Sequence, residues 1–146
     1  MARFFTLLQA ETLLPQLEPL LRGVIDQKKA YEQAEGEITG MSQRIALTGG
    51  MLVSREHMAR TRKKKDTAVR GLAAAVEQIQ DLGCQLKDAD TGLIDFPTLY
   101  RGKEVYLCWK LGESSIEFWH PVEDGFRGRQ RIDSEFLANH KGDAPV

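Results

Sequence analysis

The chain is poor in cysteine, in proline and in long apolar runs, and it carries almost no net charge. Cys84 and Cys108 are its only cysteines among 146 residues, which excludes a disulfide scaffold and the paired ligands of a zinc finger. No C-x-x-C or H-x-x-x-H pair occurs, and His57, His120 and His140 are scattered. No stretch approaches the roughly 20 apolar residues of a membrane span. The apolar run near the start is broken too soon, by Gln9 and Glu11, to serve as a secretory signal. Twenty basic residues nearly cancel twenty-one acidic ones, a net charge of -1 that argues against coating nucleic acid or a membrane by bulk charge. Repeats and low-complexity segments are absent as well. These absences predict a cytoplasmic protein with free thiols, no cofactor, no metal, no membrane partner and no nucleic acid.

What is present is an ordinary globular mixture, 42% hydrophobic and 28% charged, with length for a single domain over 1–146. Thr6-Leu7-Leu8-Gln9 reads as a capping box opening a short helix, which Pro15 ends or bends. A second helix is expected from near Glu18, with Pro19 in its first turn. Leu17, Val24, Tyr31, Ile38 and Ile45 then recur every seven residues, with Leu20, Gln27, Ala34, Met41 and Thr48 three behind. That is one apolar seam along a helix about 48 Å long. Gly49-Gly50 ends it, Ser54 caps the next helix, and that helix runs to about Leu82 with Gly83 beyond its end. The short connection makes the two helices an antiparallel hairpin, spanning about residues 7–82 with its opening turn.

After Gly83 the pattern changes to strands. Cys84–Lys87 and Leu93–Phe96 are the first two, and Pro97 is expected to stop the second or leave it at an edge. Glu104–Lys110 alternates Val105, Leu107 and Trp109 against Tyr106, Cys108 and Lys110. Ile116–His120 follows, then a short strand and a helical turn near Asp133–Leu137, with a flexible tail from about 140. The fold class is α+β: a long antiparallel helical hairpin followed by a small antiparallel β-sheet of four or five strands over about 84–132, the hairpin packed on it at its base.

Gly92-Leu93-Ile94-Asp95-Phe96-Pro97, Glu104–Trp109, Leu111-Gly112-Glu113, Trp119-His120 and Gly125–Arg129 form one combined block. With Phe5-Thr6-Leu7 and Glu11–Pro15, they resemble a bacterial family catalogued as domain of unknown function 2203. The resemblance covers most of the chain. It implies a prokaryotic protein and supplies no catalytic residues.

Three groups of side chains are candidates for function. Arg127, Arg129 and Arg131 alternate beside Gly125 and Gly128, so an extended backbone would aim three guanidiniums to one side, suited to a phosphate or carboxylate. The alternative is an edge strand protected from aggregation by charge. Asp95, Cys108 and His120 lie on neighbouring strands and are a polar cluster with the ingredients of a thiol nucleophile or a metal site, or else a buried cysteine and a hydrogen-bonded histidine. Ile38, Met41, Ile45, Leu47, Met51 and Leu52 fall towards the far end of the hairpin and are expected to form a dimer contact. The basic run Arg60–Lys65 is expected to face Glu32, Glu35 and Glu37, because residues paired across a turn at Gly50 sum to about 101.

The leading expectation is a non-enzymatic interaction or scaffolding module that self-associates through its hairpin as a homodimer, other protein partners being possible. The alternatives are a module binding an anionic ligand or nucleic acid through the arginines, and a small thiol- or metal-dependent enzyme.

Overall fold

A computed structural model of the protein describes residues 3–50 and 53–143, and the chain divides into two compact units. One is built from Met1–Arg22 and Val76–Val146, the other from Gly23–Ala75. The architecture is α+β, a long helix pair followed by an antiparallel sheet.

Helix α1 (Leu7–Thr12) opens on the expected capping box: the Thr6 hydroxyl accepts from the Gln9 amide at 3.1 Å, and the Gln9 side chain accepts from the Thr6 amide at 2.9 Å. The His140 imidazole accepts from the Leu7 amide at 3.0 Å, serving one more first-turn donor. Helix α2 (Leu14–Thr48) begins earlier than the prolines led us to expect, and Pro19 lies inside it. Pro15 falls in the first turn, where an amide has no intrahelical partner, so it starts a helix instead of ending one. Pro19 removes one ladder bond, which the remaining 35-residue helix tolerates.

Gly49 and Gly50, at φ +69° and +88°, turn the chain back in a conformation that side-chain-bearing residues rarely adopt. Ser54 then caps α3 (Arg55–Asp81) by accepting from the His57 amide. Within the Gly23–Ala75 unit the register is close to the expected one. Lys65 Nζ lies 2.6 Å from Glu35, and the Thr61 hydroxyl reaches the Glu37 carboxylate at 3.4 Å. Val24, Ala34, Met41, Thr61 and Ala68 are the fully buried side chains of this stretch among the described residues.

Among the described residues the sheet has six strands, one or two more than expected: β1 (Gln85–Asp88), β2 (Leu93–Tyr100), β3 (Lys103–Lys110), β4 (Phe118–Pro121), β5 (Gln130–Arg131) and β6 (His140–Lys141). They run in the order β1-β2-β3-β4-β5, and β6 pairs with β2 at its other end. Arg101-Gly102, both at positive φ, is the tight turn between β2 and β3.

Pro97 does not end β2, which continues to Tyr100. Residues 93–95 pair with β1 and residues 99–100 with β6, leaving a gap on that edge at Pro97. The missing amide faces this gap, and the Pro97 carbonyl accepts there from the Phe5 amide at 2.7 Å. The tail from 140, expected to be flexible, supplies β6 as far as Lys141, and Asp143 donates its amide to the Phe4 carbonyl.

Both faces of β3 are buried from Val105 to Trp109, so its alternation is not one of core against solvent. On one face Phe5 meets Phe96 edge to face, and Phe136 of α4 (Ser134–Asn139) stacks on Tyr100 and Trp119. The other face carries Asp95, Tyr106, Cys108 and His120.

Candidate functional site

Strand pairing puts Asp95 beside Cys108, with His120 on the far side of β3 and one row along. Side chains one row apart on one face are within reach of each other. The sulfur, the imidazole nitrogen and the carboxylate oxygen lie within 4.8 Å of one another, and all three residues are buried, at 2, 0 and 3% exposure for Asp95, Cys108 and His120. The sequence's polar cluster is therefore a physical cluster.

Its internal orientation is specific. His120 Nδ1 lies 2.8 Å from the Pro121 carbonyl, which can only accept, so that nitrogen carries a proton. Nε2 lies 3.1 Å from each oxygen of Asp95, and a second proton must sit in that contact for it to be attractive. Both ring nitrogens are thus engaged, and neither is free to draw the proton from Cys108. Burial, then the Asp95 charge and a hydrogen bond to it, push the Cys108 thiol up to about 12, with Arg129 opposing. Cys108 and His120 meet in space, but the histidine is turned to Asp95 and the thiol stays protonated at neutral pH.

Over the same face lies a cavity of about 220 Å³. Asp95, Tyr106 and His120 line it, as do Lys87 and the loop residues Glu123, Asp124 and Phe126. Lys87 sits 4.8 Å over the Tyr106 ring, which meets the His120 ring in a T-shaped contact at 5.5 Å.

Residues 3–132 match the model of a family described as an uncharacterized conserved protein, DUF2203. The chain belongs to that family. No curated protein and no solved structure matches it. The DUF2203 match takes in Asp95, Cys108 and His120 together with the whole cavity lining, and stops short of α4 and β6.

The arginines do not form one stripe. Phe126–Gly128 is a 3-10 turn, so Arg127 leaves the extended path on which the alternation depended. Arg129 is nine-tenths buried, pairs with Glu113 at 2.7 Å, and stacks 4.0 Å from the Phe118 ring and 4.6 Å from Phe126. Only Arg131 sits on a strand, over Phe118 at 5.4 Å.

On the hairpin, Ile45 and Leu47 are exposed at 41 and 86%, Ile38 is half-buried, and Met41 is buried at 1%. Met41 belongs to the seam between the two helices and offers no outward contact. Met51 and Leu52 lie outside the described residues.

Glu113 was missed by sequence reasoning. Its carboxylate takes both the Arg129 guanidinium and the Lys110 amide, and its carbonyl accepts from the Trp109 indole. A glutamate just past a Gly turn carries no signal that an arginine sixteen residues on will find it.

No helix among the described residues is long and apolar enough to cross a membrane.

Proposed function

We propose that the protein is a non-enzymatic interaction module whose hairpin pairs with the hairpin of a second copy, forming a two-fold four-helix coiled-coil bundle. The observation that carries this reading is how little the Gly23–Ala75 unit encloses. Among the described residues its fully buried apolar side chains are Val24, Ala34, Met41 and Ala68, while Ile45, Leu47 and Val69 stand exposed. Two helices have no third layer to close a core, and a second hairpin supplies it.

A groove of about 590 Å³ runs between α2 and α3, lined by Ala30, Ala34 and Ala68 and flanked by Arg60, Lys63 and Lys64. Small side chains admit a close neighbour, and the cations suit an exposed carboxylate such as Glu32 of a partner's α2, Glu35 and Glu37 being engaged within their own hairpin. Two buried free thiols accord with a reducing, cytoplasmic setting, and the family resemblance with a bacterial one. Sedimentation equilibrium of the full chain at micromolar concentration tests the reading. A dimer is expected, and a clean monomer overturns it.

A second reading rests on how charge is distributed. Residues 23–75 hold ten basic against six acidic side chains, a net of +4, whereas the rest of the chain holds ten against fifteen, a net of -5. The balanced total conceals a basic hairpin, which suits an anionic partner. Salt-sensitive binding of an oligonucleotide by a monomeric chain would favour this reading over self-association.

A further inference from the structure

The geometry points to a divalent transition-metal site at Asp95, Cys108 and His120, with zinc as the ion its donors suit best. This inference goes beyond self-association and concerns the other unit of the chain.

Three observations carry it. First, the donors converge: one sulfur, one imidazole nitrogen and one carboxylate oxygen within 4.8 Å of one another, from three neighbouring strands. Tetrahedral zinc with bonds of about 2.0–2.3 Å holds its ligands about 3.5 Å apart, so side-chain adjustments on a fixed sheet suffice. Second, the histidine is already oriented. Its Nδ1–H donates to the Pro121 carbonyl at 2.8 Å, the outer contact that metal-binding histidines use, and this leaves Nε2 directed at the Asp95 carboxylate, with the Cys108 sulfur within 4.8 Å of the group. Third, the cavity of about 220 Å³ is lined by Asp95 and His120, giving the ion a way in and a fourth position open to water, beside Glu123 and Asp124.

A mixed thiolate, imidazole and carboxylate set is borderline in softness and selects zinc over magnesium or calcium. Three protein ligands and one open position is the arrangement of a site that holds water or a small ligand, in contrast to a closed structural one. The charges balance too, since thiolate and carboxylate together neutralise a divalent cation, while the neighbouring Arg129 is paired by Glu113. On binding, the Cys108 thiol proton and the proton held between Asp95 and His120 both leave to solvent, and the three donors take the ion in their place. Sequence spacing conceals the site because the donors stand roughly a dozen residues apart on separate strands, not in a C-x-x-C or H-x-x-x-H pair.

The test uses the full chain, stripped with a chelator and titrated with Zn²⁺ alone by calorimetry and with Co²⁺ by absorbance. One ion per chain is expected, with a thiolate-to-cobalt charge-transfer band in the near ultraviolet. Cys108→Ser should abolish that band, and Asp95→Asn and His120→Gln should each weaken Zn²⁺ binding by about tenfold or more. Cys84→Ala, removing the other buried thiol, should leave binding unchanged. X-ray absorption of the zinc-loaded wild type needs no variant to fold, and should show one sulfur among nitrogen and oxygen neighbours. Failure of the wild type to bind, an all-oxygen shell, or a band that survives Cys108→Ser would each overturn the site. None of these readouts depends on oligomeric state.

Discussion

Asp95 and His120 face each other from strands on either side of β3, carboxylate to Nε2 at 3.1 Å, both almost wholly buried. Removing one member leaves the other buried without its partner, and such orphaned groups cost more than the net value of the bond. In the metal-free protein, Asp95→Leu and His120→Phe are each expected to lower stability by roughly 2–4 kcal/mol. The double variant leaves neither of the two side chains buried without the other, and should lose less than the sum by at least ~1 kcal/mol. Urea unfolding of the four proteins measures this, and strict additivity would show that the two groups do not depend on each other.

The two thiols should be silent in the folded chain. Burial, first among the causes, pushes Cys84 up to about 11 and Cys108 up to about 12, so neither forms appreciable thiolate near neutrality. Alkylation by iodoacetamide at mildly basic pH is expected to be slow until urea unfolds the chain, after which both react. The linkage has a definite sign. The unfolded thiols ionise first, near their ordinary 9.0, so the stability these groups hold below that pH is lost as it rises towards 11 and 12. Cys84→Ala and Cys108→Ala should each flatten the alkaline loss, and an unchanged alkaline limb in both would contradict the burial argument.

Much of the fold was legible because it rests on local rules. The capping box at Thr6 and Gln9, the paired glycines at 49 and 50, and the Ser54 cap are short-range signals, and each stands where it was read. Of the two outcomes expected at Pro97, the strand does not stop there, and the amide-free side lies at an edge gap where no strand pairs and only the Phe5 backbone arrives, a distant contact that no local rule encodes. The arginine stripe failed for the opposite reason. The alternation aims the guanidiniums one way only where the backbone is extended, and Phe126–Gly128, entered at Gly125, is a 3-10 turn that breaks the phase. The Asp95, Cys108 and His120 cluster was legible as a set but not as a geometry. Which donor faces which depends on the Pro121 carbonyl, and no spacing encodes that contact.

On the hairpin, the ion pair of Lys65 and Glu35 should respond to pH in one direction. Its hydrogen bond to Glu35, the largest cause, raises the Lys65 pKa above the ordinary 10.5. The stability it contributes is therefore complete below 10.5 and is lost as pH rises beyond that value. The effect should be small, because the pair is open to solvent and screened by salt. Lys65→Met and Glu35→Gln are each expected to destabilise slightly at neutral pH, and together by little more than either alone. Thermal melts at neutral and strongly alkaline pH decide it: if the wild type and Lys65→Met differ as much above 10.5 as below, the pair is not the source.

Arg129 separates the structural role of the arginines from any ligand role. It is stacked between Phe118 and Phe126 and held by Glu113, which also ties down the Lys110 amide and so the end of β3. Replacing it with Gln removes a mostly buried charge from its partner and uncovers two aromatic rings, for an expected loss of roughly 1.5–3 kcal/mol. Glu113→Gln should cost a similar amount, and the pair together less than the sum. A variant lacking all three arginines would therefore confound lost binding with lost packing. The clean test keeps Arg129 and replaces only Arg127 and Arg131 with Gln, which should leave the melting temperature near that of the wild type. Nucleotides and a single-stranded oligonucleotide are then titrated at two salt concentrations. If wild type binds and the double variant does not, the two remaining guanidiniums hold the anion, and the affinity should fall steeply with salt as phosphate counterions are released. If the two proteins bind alike, any anion they share is held elsewhere, and the +4 charge of residues 23–75 makes the hairpin the next place to mutate.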